Sequence, residues 1–266
     1  STSGERRQQF HDLPPESDEQ KQWRRRVEEL LLNLEAPKEL RSLSSALLAI
    51  GSGDHDSGAK ALDAYLQVQR WDISAWCLLG IARQYSNDPR GAISAMDESL
   101  GRHPHVECFN RRGMMKIWIG QFDEAIADSK KALALDSNSV FLYLGLGNAQ
   151  SAKGLHLDAD QAFSKALDLD PKNPRVYICR GYHRQIQRRL DEAEADFSKA
   201  IELDSTSAEA YFDRGAVRAK LRRFKEAIDD YSRALKLKPQ LAAGYYNRGN
   251  AKLAIDQNEE AIDDYT

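Results

Sequence analysis

The sequence predicts an all-α fold, a right-handed α-solenoid of stacked antiparallel helix pairs, and three observations lead there. Glycines recur every 34 residues, at Gly113, Gly147, Gly181, Gly215 and Gly249, with Gly80 lying 33 residues before the first. Twelve residues after each glycine stands Ala92, Ala125, Ala159, Ala193, Ala227 or Ala261, and four before it an aromatic, Trp76, Phe109, Tyr143, Tyr177, Tyr211 or Tyr245. Within each period, two apolar stretches of helical spacing flank a short turn. One such hairpin cannot bury its own apolar faces, so successive units stack.

The period defines units at 73–105, 106–139, 140–173, 174–207 and 208–241, and a partial unit at 242–266. Counted within a unit, small residues stand at positions 8, 20 and 27, where two helices must approach closely. Pro104, Ser137, Pro171, Ser205 and Pro239 close the units, and a proline there suits the entry to a helix but not its interior.

These landmarks resemble the tetratricopeptide repeat (TPR) family: aromatic at position 4, Leu-Gly or Arg-Gly at 7–8, Ala at 20, an aromatic at 24, Ala at 27 and Pro near 32. Position 24 carries Phe163, Phe197, Tyr231 and Tyr265, with Met96 and Ser129 as departures; position 27 carries Ala132, Ala166, Ala200 and Ala234, with Ser99 as the departure. The resemblance covers residues 73–266. The 33-residue first unit and the basic residue usual at position 11, where the family often has Tyr, also depart from the pattern.

Upstream the period fades. Residues 17–72 read as an N-terminal cap followed by a degenerate hairpin. Ser17-Asp18-Glu19-Gln20 forms a capping box, and Trp23, Val27, Leu30, Leu31 and Leu34 mark one face of the helix it opens. Pro37–Ile50 and Gly58–Trp71 are the hairpin arms, joined by Gly51–Ser57. Residues 1–16, charged and carrying Pro14-Pro15, read as disordered.

Composition narrows the function classes. The 266 residues hold 38 basic and 41 acidic side chains, a formal charge of −3, without the basic excess of a nucleic-acid binder. The longest apolar runs, such as Ala46–Ile50 and Val140–Leu144, fall far short of the roughly 18 residues of a membrane span. Cys77, Cys108 and Cys179 are too few and too scattered for a disulfide framework, which suits a reducing, cytoplasmic setting. A first residue other than Met, and a last residue inside a helical pattern, read as a fragment of a longer polypeptide.

Basic residues recur at position 7 (Arg112, Arg180, Arg214, Arg248) and at position 11 (Arg83, Lys116, Arg184, Arg218, Lys252). A phosphate track is one reading, but position 23 is Asp128, Asp196, Asp230 or Asp264 wherever 7 is Arg. It is Ala95 or Ala162 where 7 is Leu79 or Leu146. Positions 7 and 23 lie equidistant from a turn at 15, as do 11 and 19, where Glu124, Asp158, Glu192, Glu226 and Glu260 stand. Both relations predict ion pairs inside each hairpin.

The resemblance implies a groove lined by first helices, at positions 2, 5, 6, 9, 12 and 13. Its candidate contacts are Asn110, Phe141, Leu144, Asn148, Ile178, Tyr182, Phe212, Tyr246, Asn247 and Asn250, apolar and aromatic side chains with amides that suit a peptide or an amphipathic helix. The alternative is that these side chains pack between helices as core. The carboxylate clamp by which family members hold chaperone C-terminal tails needs Lys at position 5, which no unit has. No such tail is expected.

Catalytic and metal motifs are weak. Gly53–Lys60 lacks the ending of a phosphate-binding loop, and Gly145-Leu146-Gly147 lies inside a helical stretch. His103, His105 and Cys108 flank a turn but lack a fourth metal ligand, and Asp54 and Asp56 lack the rest of a calcium loop. His183 reads as a packing or surface residue. The expectation is a non-enzymatic protein–protein interaction scaffold, with no cofactor, metal, nucleic acid or membrane. Its open C-terminal end offers an apolar face to further repeats or to self-association. The competing reading is a recruiting arm of a larger kinase, glycosyltransferase or protease. A helical-repeat RNA binder of the pentatricopeptide type disagrees in period and charge.

Overall fold

The structure, a computed structural model, describes residues 38–266. The expected capping helix and the charged 1–16 segment lie outside these residues. Among the described residues there are fourteen helices and no strand. They form two compact units divided between residues 137 and 138.

The first unit holds α1 (Lys38–Gly51), α2 (His55–Val68), α3 (Ile73–Tyr85), α4 (Pro89–Leu100), α5 (Val106–Trp118) and α6 (Phe122–Leu135). The second holds α7 (Val140–Lys153), α8 (His156–Leu169), α9 (Pro174–Ile186), α10 (Leu190–Leu203), α11 (Ala208–Lys220), α12 (Phe224–Leu237), α13 (Ala242–Leu253) and α14 (Asn258–Tyr265). Each odd-numbered helix packs against the even-numbered one that follows it, and each hairpin packs on the next within its unit.

Local chemistry sets the boundaries. Asp72, Asp88, Asn173 and Ser207 cap α3, α4, α9 and α11 by accepting backbone N–H groups at 2.9–3.2 Å, and proline opens α4 and α9. Asp54 accepts from the Ser57 backbone N–H at 3.1 Å, so α2 begins at His55, three residues before the sequence reading placed its arm. The Gly53–Lys60 segment is therefore a helix cap and first turn, not a phosphate loop. The turns centre on position 15 as expected: Asn87, Gly120, Gly154, Arg188, Arg222 and Asp256 all take left-handed φ between 61° and 85° and end their first helices.

The small positions are the points of closest approach. All six alanines at position 20 are fully buried, as are Ala132, Ala166, Ala200 and Ala234. A β-carbon on Gly147 would stand 2.8 Å from the Phe163 ring, and one on Gly181 would stand 2.9 Å from the Phe197 ring. Gly113 differs because position 24 of its unit is Ser129, so its nearest neighbour would be the Ala125 carbonyl oxygen at 3.4 Å. Two alanine substitutions at the same repeat position should therefore have opposite signs. Gly181→Ala overpacks the hairpin and should destabilise by about 1–3 kcal/mol. Gly113→Ala meets ordinary contact distances and gains helix propensity, so it should be neutral or stabilising by up to about 1 kcal/mol. Urea denaturation of both variants checks this; equal losses would refute the steric account.

Candidate functional site

The recurrent arginines face inward. Arg112 grips Asp128 with two nitrogens at 2.8 and 2.6 Å, Arg180 grips Asp196 at 3.0 and 2.7 Å, and Arg214 grips Asp230 at 2.9 and 2.7 Å. Arg248 holds Asp264 in the same bidentate manner. These aspartates are 2–8% exposed. Each guanidinium also lies 5.5–5.7 Å from the ring at position 4: Phe109, Tyr177, Tyr211 and Tyr245. Burial opposes ionisation of Asp264, but hydrogen bonds from Arg248 and Lys252 outweigh it and hold its pKa below the ordinary carboxylate value.

Position 11 does not simply mirror 19. Lys116, Arg184, Arg218 and Lys252 reach the position-23 aspartates at 2.8–2.9 Å, so each buried carboxylate binds two cations. Positions 7 and 11 lie one turn apart on a single face, and the desolvated aspartate is a stronger attractor than the exposed position-19 carboxylate. Arg184 still keeps a looser contact to Glu192 at 3.7 Å, and Lys252 takes the Glu260 backbone carbonyl. Arg83, whose unit has Ala95 at position 23, turns to Asp63 on α2 at 2.8 Å. The basic ladder is thus an internal device and offers no phosphate track.

The ten candidate groove residues divide. Leu144, Ile178 and Asn110 are buried, at 5%, 4% and 3% exposure. Leu144 joins Phe163 and Val176 in one core cluster, and Ile178 joins Phe197 and Val217 in another. At Leu144 and Ile178, position 5 thus packs with residues of the following hairpin. Asn110 lies in the first unit; the other nine belong to the second. There, Phe141 and Tyr246 stand well exposed, Asn148 and Asn250 are exposed, and Tyr182, Phe212 and Asn247 are half-buried. Tyr182 meets Phe197 edge-on at 5.6 Å, and Asn250 accepts the Tyr265 hydroxyl at 2.7 Å. His183 is buried, hydrogen-bonded to Ser151 at 2.7 Å, and burial lowers its pKa; it packs, as expected.

Around these residues lies a polar cluster that the sequence reading passed over. Arg175 bridges from α9 to Glu209 on α11 at 2.9 Å, and the Tyr182 hydroxyl hydrogen-bonds Asp213. Among the described residues, Asp213 Oδ2 and Glu209 Oε1 are buried without a hydrogen-bond partner. The signal was available: Arg175 and Glu209 share position 2 of adjacent units, which makes them lateral neighbours, and Glu209 and Asp213 are one turn apart.

In the first unit, Cys77 and Cys108 are bonded to each other, their α-carbons 6.2 Å apart, a single pairing that the sequence reading did not anticipate. His105 stands beside them, so that the ligand atoms of Cys77, His105 and Cys108 lie within 4.8 Å of one another. His103, the other residue of the sequence-based cluster, is not in this group. Cys179 is buried and unbonded. None of the helices among the described residues is long and apolar enough to cross a membrane.

Comparison with known proteins agrees with this geometry. Models of the tetratricopeptide repeat match residues 142–173 and 208–241. The crystal structure of MamA is 29% identical, with a TM-score of 0.51 over 57% of this chain and 90% of that one. A tetratricopeptide repeat protein from Parabacteroides merdae is 18% identical, with a TM-score of 0.70 over 85% of this chain and 90% of that one. A chain in the APC/C hetero-tetramer Cut9–Hcn1 is 17% identical, with a TM-score of 0.60 over 90% of this chain and 48% of that one. At identities below 20%, the last two speak to the fold alone. No curated protein matches the chain.

The buried Asp213 carboxyl makes stability depend on pH. Burial raises its pKa well above the ordinary value; the Tyr182 hydrogen bond, Arg175 and Lys220 oppose the rise, and Glu209 adds to it. The folded chain therefore keeps this proton where the unfolded chain has lost it. The resulting stability falls as pH rises above about 4 and levels off above the folded pKa. Asp213→Asn should equal or exceed wild type in stability at pH 7, and its advantage should shrink toward pH 4. Urea titrations across that range test this; a pH-independent difference would rule out the titration.

Proposed function

Because this chain is a member of the tetratricopeptide repeat family, we propose that it is a protein–protein interaction scaffold whose second unit binds a peptide or helical segment of a partner along its first helices. Tetratricopeptide repeats generally mediate protein–protein interaction and complex assembly, and the fold is typically a non-catalytic scaffold. The observation that carries the finer reading is the exposure of Phe141, at 53%, with the exposed Asn148 two turns along the same helix; Tyr246, on the last first helix of the described residues, is 61% exposed one turn from Asn250. Large aromatic rings left in water, with polar groups able to bond a backbone beside them, are what interface anchors are made of. Tyr182, Phe212 and Asn247, half-covered by their own hairpins, supply the walls.

The buried members of the original set are poor probes, since a charge at Ile178 would disrupt the core. The test is affinity capture with the wild-type chain, a Phe141→Ala/Tyr246→Ala variant, and a Leu157→Ala control on the second helix α8, where Leu157 is 80% exposed. A partner held by wild type and control should bind the double variant at least about tenfold more weakly, as expected when aromatic anchors each contribute over about 1 kcal/mol. Equal binding by all three forms, each shown to be folded by circular dichroism, would overturn the assignment of this face.

A further inference from the structure

We propose that Cys77, His105 and Cys108, with the two cysteines in the dithiol form, bind a thiophilic divalent cation of the zinc type. Cys77 lies on α3, and Cys108 lies in the first turn of α5, whose N-cap is His105. The N-cap residue and the third helical residue face the same side of a helix start, which brings His105 over Cys108. The His105 ring makes no capping bond to the helix, and it is exposed. It can therefore turn toward the sulfurs. All three ligand atoms already lie within 4.8 Å of one another. Around a tetrahedral zinc, with sulfurs at about 2.3 Å and nitrogen at about 2.0 Å, neighbouring ligands stand roughly 3.5 Å apart. Modest side-chain rotation spans the difference.

The donor set selects the ion. Two thiolates and an imidazole suit zinc and exclude the hard cations, magnesium and calcium, which take oxygen ligands. Three protein ligands leave the fourth position to water on the exposed His105 side. Ser99 stands behind the fully buried Cys108 sulfur, its Oγ 3.7 Å away and 3.1 Å from the Ile73 carbonyl to which it donates. Turning that one hydrogen to the sulfur would stabilise a thiolate, a supporting contact of the kind metal ligands use. Disulfide and cation exclude each other, because the ion is bound by the two thiolates that oxidation to the disulfide consumes. A phosphine reductant in water converts the disulfide to two thiols and is itself oxidised to the phosphine oxide. Metal binding then releases the two thiol protons to solvent. The bound ion would tie α3 to α5 and so join two successive hairpins of the first unit.

The test is titration of the fully reduced chain, freed of reductant under anaerobic conditions, with Co2+ alone and then Zn2+. One equivalent of Co2+ should bind with thiolate-to-cobalt charge-transfer absorption, and Zn2+ should bleach it. Cys77→Ser and Cys108→Ser should lose the band, Cys179→Ser should keep it, and His105→Ala should weaken binding by more than about tenfold, since even supporting residues contribute on that scale. His105 is exposed at a helix start, so this variant separates ligand loss from unfolding. No charge-transfer band in chain shown by thiol counting to carry its three free cysteines would overturn the proposal. So would a Co2+ affinity unchanged in both Cys77→Ser and His105→Ala.

Discussion

The closeness of the two helices in each hairpin governs the rest of the structure. Aromatic rings at Phe163, Phe197, Tyr231 and Tyr265 come within 2.8–3.0 Å of where a β-carbon would stand on the glycine opposite. Glycine there removes the one atom that would hold the helices apart, and buried alanines at positions 20 and 27 keep them together along their length. At that separation the arginine that directly precedes the glycine can grip a carboxylate across the hairpin with two hydrogen bonds. In the unit where Ser129 replaces the aromatic, Gly113 is less crowded, and the charge clamp of Arg112, Lys116 and Asp128 spans the same interface.

That clamp is electrostatically guarded in a way that Asp213 is not. A buried carboxylate loses its hydration, and one partner often recovers only part of the loss. Asp128, Asp196, Asp230 and Asp264 each have two cations, one of them bidentate and stacked on an aromatic ring, and at Asp264 this holds the pKa below the ordinary carboxylate value despite burial. Asp213 has the Tyr182 hydroxyl and the longer-range attraction of Arg175, itself bonded to Glu209. The same residue type, similarly buried, therefore has its pKa lowered at Asp264 and raised at Asp213. A clamp repeated in four units fixes the register of each hairpin. A carboxyl occurring once, with an oxygen left over, marks a place where the scaffold has given up stability.

Much of this was legible because a repeat multiplies every signal. One Arg–Asp pair sixteen residues apart would mean little, but its recurrence, and its replacement by Leu–Ala in step, identified the contact from sequence. The same mirror logic misassigned position 11, since it counts distance from the turn but ignores that 7 and 11 share a face and compete for one desolvated carboxylate. The groove set was half legible for a related reason. Unit position says which residues point sideways, but Ile178 is covered because a further hairpin packs on its unit, whereas among the described residues none follows Tyr246. Cys77 and Cys108 were illegible. They occupy positions 5 and 3 of successive units, 31 residues apart, and only the lateral offset of α3 and α5 brings unequal positions together.

What the period repeats is architecture, so chemistry specific to this chain must lie where the period breaks. Glycine, alanine, arginine and aspartate at fixed positions build a hairpin that any member of the array could exchange. Arg175 facing Glu209, Asp213 without a cation of its own, the cysteine pair beside His105, and Phe141 and Tyr246 left in water each occur once. A solenoid tolerates such exceptions well, because every unit contacts only its neighbours and the cost of a local defect is not passed along the chain. The regular core thus makes the irregular face possible, and a partner or ion that satisfies the exceptions recovers stability the folded chain has left unclaimed.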